Sequence, residues 1–93
     1  MCVLKQLSRG DSYAYEIAQI LMAEVGMAEG TIYPLMRRMA EEGMVSTYMI
    51  QSDSGPSRKY FRLTEQGRDT LARQLAEWAS FETCVRRFLR ADQ

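Results

Sequence analysis

The sequence predicts a mostly α-helical chain with a small β-hairpin, an α+β fold class, and three observations support this. Apolar residues recur at the spacing of an amphipathic helix in four segments. Between the third and fourth segments, β-branched and aromatic residues concentrate in two runs, Met44 to Gln51 and Arg58 to Thr64, which flank the loop sequence SDSGPS. With 93 residues the chain has room for one domain, which we divide into residues 1–64 and a last helix over residues 65–93.

Composition narrows the class of protein. The chain is 46% hydrophobic and 26% charged, which is typical of a globular protein and argues against global disorder. No apolar run approaches the length of a membrane span and residues 1–10 carry no signal-peptide core, so we expect a cytoplasmic protein with no membrane partner. Because 12 basic and 12 acidic side chains cancel, any nucleic-acid binding must depend on local charge. Cys2 and Cys84 have apolar neighbours at helical spacing, which favours reduced, buried thiols over a disulfide.

The first two helices are predicted on either side of a polar turn. Residues 1–8 place their apolar side chains on one side and resemble the end of a longer element. The second helix is expected from about Tyr13 to Val25, with Asp11 or Ser12 accepting hydrogen bonds from its first free amides. Gly26 ends it.

The third helix is the segment that the rest of the chain is organised around. It has the sequence GTIYPLMRRMAEEGMV over residues 30–45, and Gly43 suits the left-handed position that closes a helix. Pro34 is tolerated inside it because the residue four positions earlier is Gly30, so we predict one helix, bent near its start. One face is apolar: Ile32, Leu35, Met36 and Met39. The opposite face is polar and basic, and a helix pair joined by a short glycine-containing turn is the pattern of a helix-turn-helix unit.

The two β-rich runs follow this helix pair directly. A helix-turn-helix followed by a basic hairpin predicts a winged helix-turn-helix, with Arg58 and Lys59 at the base or edge of the wing. Thr64 is expected to cap the last helix, which continues to about Leu89 and is about 40 Å long. Its apolar stripe has nothing left in the chain to cover it, so a second copy is the expected partner.

Three segments together resemble the PadR-like family of transcriptional regulators: SYAYEI at residues 12–17, EGTIYPLMRRMAEEGMV at 29–45 and GPSRKYFRLTEQG at 55–67. The resemblance implies a dimeric winged-helix repressor of bacterial genes for stress, detoxification or drug export. It is nearest to the small subgroup with a single C-terminal dimerisation helix, which pairs with the first helix of the other subunit. One departure is Ala28, where a serine cap is frequent, and the first helix looks shorter than in the family.

The resemblance and the apolar spacing together give an expected dimer interface. Its residues come from the first and last helices: Val3, Leu4, Leu7, Leu71, Leu75, Trp78, Phe81, Val85, Phe88 and Leu89. Trp78 also resembles the tryptophan that, in some drug-responsive members, stacks on flat aromatic ligands at the dimer centre. Interface packing remains the simpler role for this side chain.

The predicted DNA-binding residues carry hydroxyl, guanidinium or ammonium groups that can reach phosphates or base edges. They are Tyr13, Thr31, Tyr33, Arg37, Arg38, Arg58 and Lys59. Arg38 has the alternative of pairing with Glu41 or Glu42, and Lys59 that of protecting an edge strand. Tyr15 is equally compatible with packing.

The functional hypothesis is a homodimeric, sequence-specific repressor of transcription that binds double-stranded DNA and responds to a planar aromatic small molecule. The alternative is a winged-helix module that binds a protein and no DNA. We predict no enzymatic activity and no cofactor or metal, because the sequence has no histidine, no nucleophile beside a base and no phosphate-binding glycine loop.

Overall fold

The computed structural model describes residues 1–91 and confirms the α+β class. In chain order the elements are α1 (Cys2–Ser8), β1 (Ser12–Tyr13), α2 (Ala14–Glu24), α3 (Glu29–Glu41), β2 (Val45–Ile50), β3 (Arg58–Leu63) and α4 (Glu65–Arg90). The predicted last segment extends to residue 93, and its residues 92 and 93 lie outside the described range.

The sheet has three antiparallel strands in the order β1, β3, β2, where the sequence predicted two. The additional strand is the residue pair Ser12 and Tyr13, which lies opposite Phe61 and Tyr60. Tyr13 therefore precedes α2 and does not begin it. Two residues are too short to show alternation, so only the long-range pairing with β3 reveals this strand.

The core lies between the three helices of the helix-turn-helix part and one face of the sheet. The predicted apolar face of α3 is confirmed at Ile32, Met36 and Met39, which are buried, while Leu35 is half-buried. On α2 the buried positions are Ile17, Ala18 and Leu21. From the sheet, the buried apolar side chains are Val45, Phe61 and Leu63.

Helix ends agree with the sequence at the glycines and at Thr64. Gly26 and Gly43 have φ of 76° and 80°, in the left-handed region that favours glycine. The backbone amide of Gly67 donates to Thr64 Oγ1 over 3.0 Å, as expected of a cap. The predicted cap of α2 is wrong, because the Ser12 hydroxyl donates to Glu16 Oε1 and no side chain caps the helix.

Helix α4 is anchored at one end only. Its first turns pack on α1 and β3 through Gly67, Thr70 and Leu71. Every residue from 75 to 91 is exposed. The chain is consequently elongated, with extents of 61, 27 and 20 Å.

Four residues of the expected dimer interface are buried within one chain, which corrects that expectation. Val3, Leu4 and Leu7 are 1%, 0% and 2% exposed, because α1 fills the core between α2 and α4. Leu71 is buried in the same core. These side chains have no free surface to offer a partner.

The two cysteines are less buried than the sequence predicted. Cys84 is exposed, so its predicted burial is wrong for the single chain; Cys2 is half-buried and both thiols are free.

None of the helices described for residues 1–91 is long and apolar enough to cross a membrane.

Candidate nucleic-acid interface

The outer face of α3 carries four of the seven predicted DNA-binding residues. Thr31, Arg37 and Arg38 are exposed and Tyr33 is half-buried against the core. Pro34 lies inside the helix without breaking it. Tyr33 and Arg37 are four residues apart and therefore share one side of the helix.

That side of α3 borders a cleft of about 450 Å³ that also contains a wing residue. Arg37 from α3 and Lys59 from β3 both line it, together with the ring of Tyr33. Glu41 lines the same cleft and reduces its positive charge. Within residues 1–91, Arg38 makes no ion pair with Glu41 or Glu42, so the pairing alternative is not realised.

A second depression of about 360 Å³ adjoins the first through Ala14 and Lys59, which line both. Tyr13, Tyr15 and Arg58 complete its walls. Tyr15 is 62% exposed, so it belongs to the surface and not to the packing, which residue patterns alone did not decide. The residues around the two depressions form one continuous surface, which we call the basic surface: Tyr13, Tyr15, Tyr33, Arg37, Arg58 and Lys59.

Arg58 is held over an aromatic ring at the edge of this surface. Its Cζ lies 4.6 Å from the centre of the Tyr13 ring, within range of a cation–π interaction. Tyr13 is therefore both part of the surface and a support for Arg58. Thr31 and Arg38 line neither depression and extend the exposed side of α3 beyond it.

The solvent-facing side of the sheet carries a row of three tyrosines, Tyr13, Tyr60 and Tyr48, of which sequence analysis identified only Tyr13. The ring centres of Tyr13 and Tyr60 are 5.4 Å apart, and those of Tyr48 and Tyr60 are 5.8 Å apart. The alternation of Arg58, Tyr60 and Arg62 in β3 was the available signal for a shared face.

One end of this row is tied to Asp11. The Tyr48 hydroxyl donates to Asp11 Oδ2 over 2.7 Å, and Arg62 Nε donates to the same oxygen over 3.0 Å. The hydrogen bond from Tyr48, supported by the Arg62 charge, lowers the pKa of Asp11, while the same bond raises the pKa of Tyr48. Asp11 is thus a carboxylate and Tyr48 a neutral donor at neutral pH.

A separate groove of about 270 Å³ is bounded by α1, α2 and α4. Trp78 and Leu75 line it from α4, opposite Ile20 and Val25. The Trp78 side chain is half exposed, and its ring centre lies 6.2 Å from that of Phe81. The groove therefore begins where the exposed apolar stripe of α4 begins.

The chemistry of the basic surface suits phosphate. Guanidinium, ammonium and phenol groups donate hydrogen bonds to phosphate oxygens, and an arginine on a helix can also contact guanine O6 and N7. Among residues 1–91 no group of three or more His, Cys, Asp or Glu side chains is arranged to hold a metal ion.

A helix pair whose second helix exposes a basic face, followed by a two-stranded wing that adds cations beside it, defines a winged helix-turn-helix protein of the DNA-binding type. Residues 3–73 match the Transcriptional regulator PadR-like family. The chain belongs to this family of transcriptional regulators.

Solved structures agree with this assignment. A PadR family transcription regulator from Clostridium difficile is 31% identical, with a TM-score of 0.86 over 95% of this chain and 94% of that chain. A PadR-like transcriptional regulator from Bacillus cereus is 32% identical, with a TM-score of 0.82 over 95% of this chain and 87% of that chain. An uncharacterized protein from Lysinibacillus sphaericus is 26% identical over 91 residues, which cover 94% of this chain and 84% of that protein.

Proposed function

We propose that the protein is a homodimeric, sequence-specific DNA-binding repressor that acts in the cytoplasm without enzymatic activity. The observation that carries the proposal is that one chain presents two separate surfaces. The basic surface lies on the winged part, and an uncovered apolar stripe lies on the helix that leaves it. Such a chain needs a second copy to cover the stripe, and a second copy also supplies a second recognition helix.

The proposed dimer interface is the stripe of α4 together with the groove beside it. Its exposed apolar side chains are Leu75, Trp78, Phe81, Val85, Phe88 and Leu89. The groove between α1, α2 and α4 is mostly apolar and lies at the base of the stripe, where a helix of the partner would find apolar neighbours. The buried residues of α1 support the walls of the groove and make no contact across the dimer.

On DNA, α3 is assigned to the major groove and the wing to the adjacent backbone. Arg37 is placed to contact a guanine edge or a phosphate, with Thr31, Tyr33 and Arg38 beside it on the same helix. Arg58 and Lys59 contact phosphates, and Tyr13 contributes next to Arg58. Two such helices bind half-sites about one helical turn, roughly 34 Å, apart.

Binding of DNA is expected to weaken steeply with salt. If six or more phosphates are neutralised, affinity falls by about a thousandfold between 50 and 200 mM salt. Replacing Arg37 by Ala should weaken binding by roughly 5- to 150-fold, because it removes one direct base or phosphate contact. Fluorescence anisotropy with a duplex selected from a random pool measures both effects.

The matched control for this experiment is Arg73→Ala, which removes the same charge from exposed α4, away from the basic surface. Its affinity should stay within about twofold of the wild type. A flat salt dependence, together with no retention on heparin at low salt, would instead favour a module that binds a protein and no DNA.

The proposed trigger for release is a planar aromatic molecule at Trp78. The support for this trigger is a direct connection between α4 and α3, because side chains at the start of α4 are hydrogen-bonded to backbone carbonyls at the end of α3. Gln66 Nε2 donates to the Glu42 carbonyl over 3.0 Å, and the Thr64 hydroxyl donates to the Gly43 carbonyl over 2.8 Å. A ligand that changes the angle between two α4 helices would change the separation of the recognition helices.

Planar aromatic dyes are expected to quench the fluorescence of Trp78, the single tryptophan of the chain. Stacking on the indole ring is the cause, and titration at fixed protein concentration gives the affinity. Free N-acetyltryptophanamide at the same concentration controls for absorption of light by the dye. Emission that follows this control for several dyes would remove the basis for an effector at Trp78.

A further inference from the structure

We propose that Asp11, Tyr48 and Arg62 form a positioning group, which sets the orientation of the wing and thereby places Arg58 for contact with DNA. The proposal rests on the proposed DNA binding and adds three residues that make no contact with DNA themselves. We call these three side chains the wing latch.

The outer half of the wing lacks the support that the inner half has. Strand β1 reaches only Phe61 and Tyr60, so the pairs Met49 with Lys59 and Ile50 with Arg58 belong to two strands alone. The buried side chains of the two wing strands all lie at Phe61 or closer to the helices. Since an isolated two-stranded ribbon is marginally stable in water, the outer half needs a restraint from another source.

The solvent-facing side of the sheet supplies that restraint as a continuous chain of contacts. It begins at Asp11, in the turn after α1. Asp11 Oδ2 accepts hydrogen bonds from Tyr48 in β2 and from Arg62 in β3. The Arg62 Cζ also lies 5.0 Å from the centre of the Tyr48 ring, so the two donors support each other. From Tyr48 the row continues through Tyr60 to Tyr13, over which Arg58 lies.

The latch therefore joins the turn in front of α2 to both strands of the wing. Asp11 is 37 residues from Tyr48 and 51 residues from Arg62, so the bonds cross the fold and do not merely stabilise a local turn. A wing that is ordered before binding loses less conformational freedom on the DNA, and Arg58 then binds more tightly. Without the latch, Arg58 keeps its charge but loses its fixed position.

The test compares Asp11→Ala, Asp11→Asn and Ser46→Ala by anisotropy with the selected duplex. Asp11→Ala removes the acceptor and should weaken DNA binding by roughly three- to tenfold. Asp11→Asn keeps a side-chain oxygen as acceptor and should recover most of this loss. Ser46→Ala removes a hydroxyl from β2 on the same side of the sheet and should bind like the wild type. Both Asp11 variants remove one negative charge, which by electrostatics alone would strengthen binding to DNA, so the sign separates positioning from charge.

Two further measurements separate positioning from loss of the fold. In Asp11→Ala, amides of residues 49–50 and 58–59 should exchange with solvent faster, while those of α2 and α3 stay protected. On DNA, Arg58→Ala should cost less in the Asp11→Ala background than in the wild type, because the two residues act through one contact.

The outcomes are distinguishable. Three results would each overturn the latch alone. The first is a DNA affinity of Asp11→Ala equal to that of the wild type, and the second is additive losses of affinity for Asp11→Ala and Arg58→Ala. The third is a rate of amide exchange in the wing that Asp11→Ala does not change. A wild-type protein that binds no selected duplex would overturn the proposed function, and the positioning role with it.

Discussion

Gly67→Ala is expected to lower the free energy of unfolding by about 3 kcal/mol or more, as overpacking against fixed atoms can do. A Cβ at Gly67 would lie 2.1 Å from the Met44 carbonyl oxygen and 2.6 Å from Leu63 Cδ1. Both distances are far inside van der Waals contact. The backbone oxygen cannot retreat freely, because it accepts a hydrogen bond from the Thr64 amide over 3.2 Å.

The close approach at Gly67 has a structural purpose. Residue 67 is in the first turn of α4, where this helix passes close to Met44, the residue before β2, and to Leu63 at the end of β3. Intrinsic helix propensity favours alanine over glycine by about 1 kcal/mol, so the clash must exceed that gain before any loss is seen. We expect it to do so, since relief requires moving α4 away from the Met44 backbone and from β3.

Urea denaturation at a fixed protein concentration measures the loss in the free energy of unfolding. In thermal unfolding the midpoint should fall by roughly 12 to 24 °C, because each kcal/mol lowers it by about 4 to 8 °C. The control is Gly30→Ala in α3, where the added Cβ has no heavy atom within 4 Å apart from its chain neighbours and the local helix backbone. That substitution should leave stability unchanged or raise it by up to about 1 kcal/mol. A Gly67→Ala protein as stable as the wild type would mean that α4 and the Met44 backbone do not approach this closely.

Local chemistry explains what the sequence predicted correctly. A cap and a left-handed turn involve only backbone groups within a few residues, so they can be predicted from the sequence itself. Thr64 is such a cap, and Gly26 and Gly43 are such turns. The same holds for α3, whose apolar spacing of three and four residues agrees with its buried side chains. The outer face of α3 follows from that spacing, and the DNA contacts assigned to it stay a prediction.

Contacts between distant segments were not predictable in this way. Strand β1 exists because Ser12 and Tyr13 pair with residues nearly 50 positions later, and Asp11 is withdrawn from capping α2 by partners in β2 and β3. The need for a glycine at position 67 is not visible in the neighbouring sequence, because the atoms closest to an added Cβ belong mainly to Met44. Each of these features depends on a tertiary contact between distant segments, which local sequence patterns do not show.

The apolar residues of α1 show a different limit. Spacing identifies which side chains must be covered and does not say whether the cover comes from the same chain. Leu4 and Phe81 both fit an apolar helical face, yet Leu4 is fully buried in one chain and Phe81 is 61% exposed. The distinction decides which residues are suitable for testing the dimer.

Phe81→Asp is therefore expected to convert the proposed dimer to a monomer at micromolar concentration and to weaken DNA binding by at least about a hundredfold. A charge at the centre of an apolar interface is left without solvent or partner, which costs several kcal/mol. The monomer then has one recognition helix, so it loses the gain in affinity, about 10² to 10⁴, that comes from joining two binding units. The side chain is exposed in the single chain, so the winged part should keep its fold.

Light scattering and anisotropy with the selected duplex measure the two effects on the same sample. Ser80→Asp is the control, since it adds the same charge to the neighbouring position, about 100° around the helix and away from the stripe. It should remain dimeric and bind DNA within about twofold of the wild type. Unfolding midpoints of the two variants, compared at low concentration, show whether the winged part is intact. A Phe81→Asp protein that stays dimeric would place the interface elsewhere. One that is monomeric yet binds DNA with full affinity would show that recognition needs only a single winged unit.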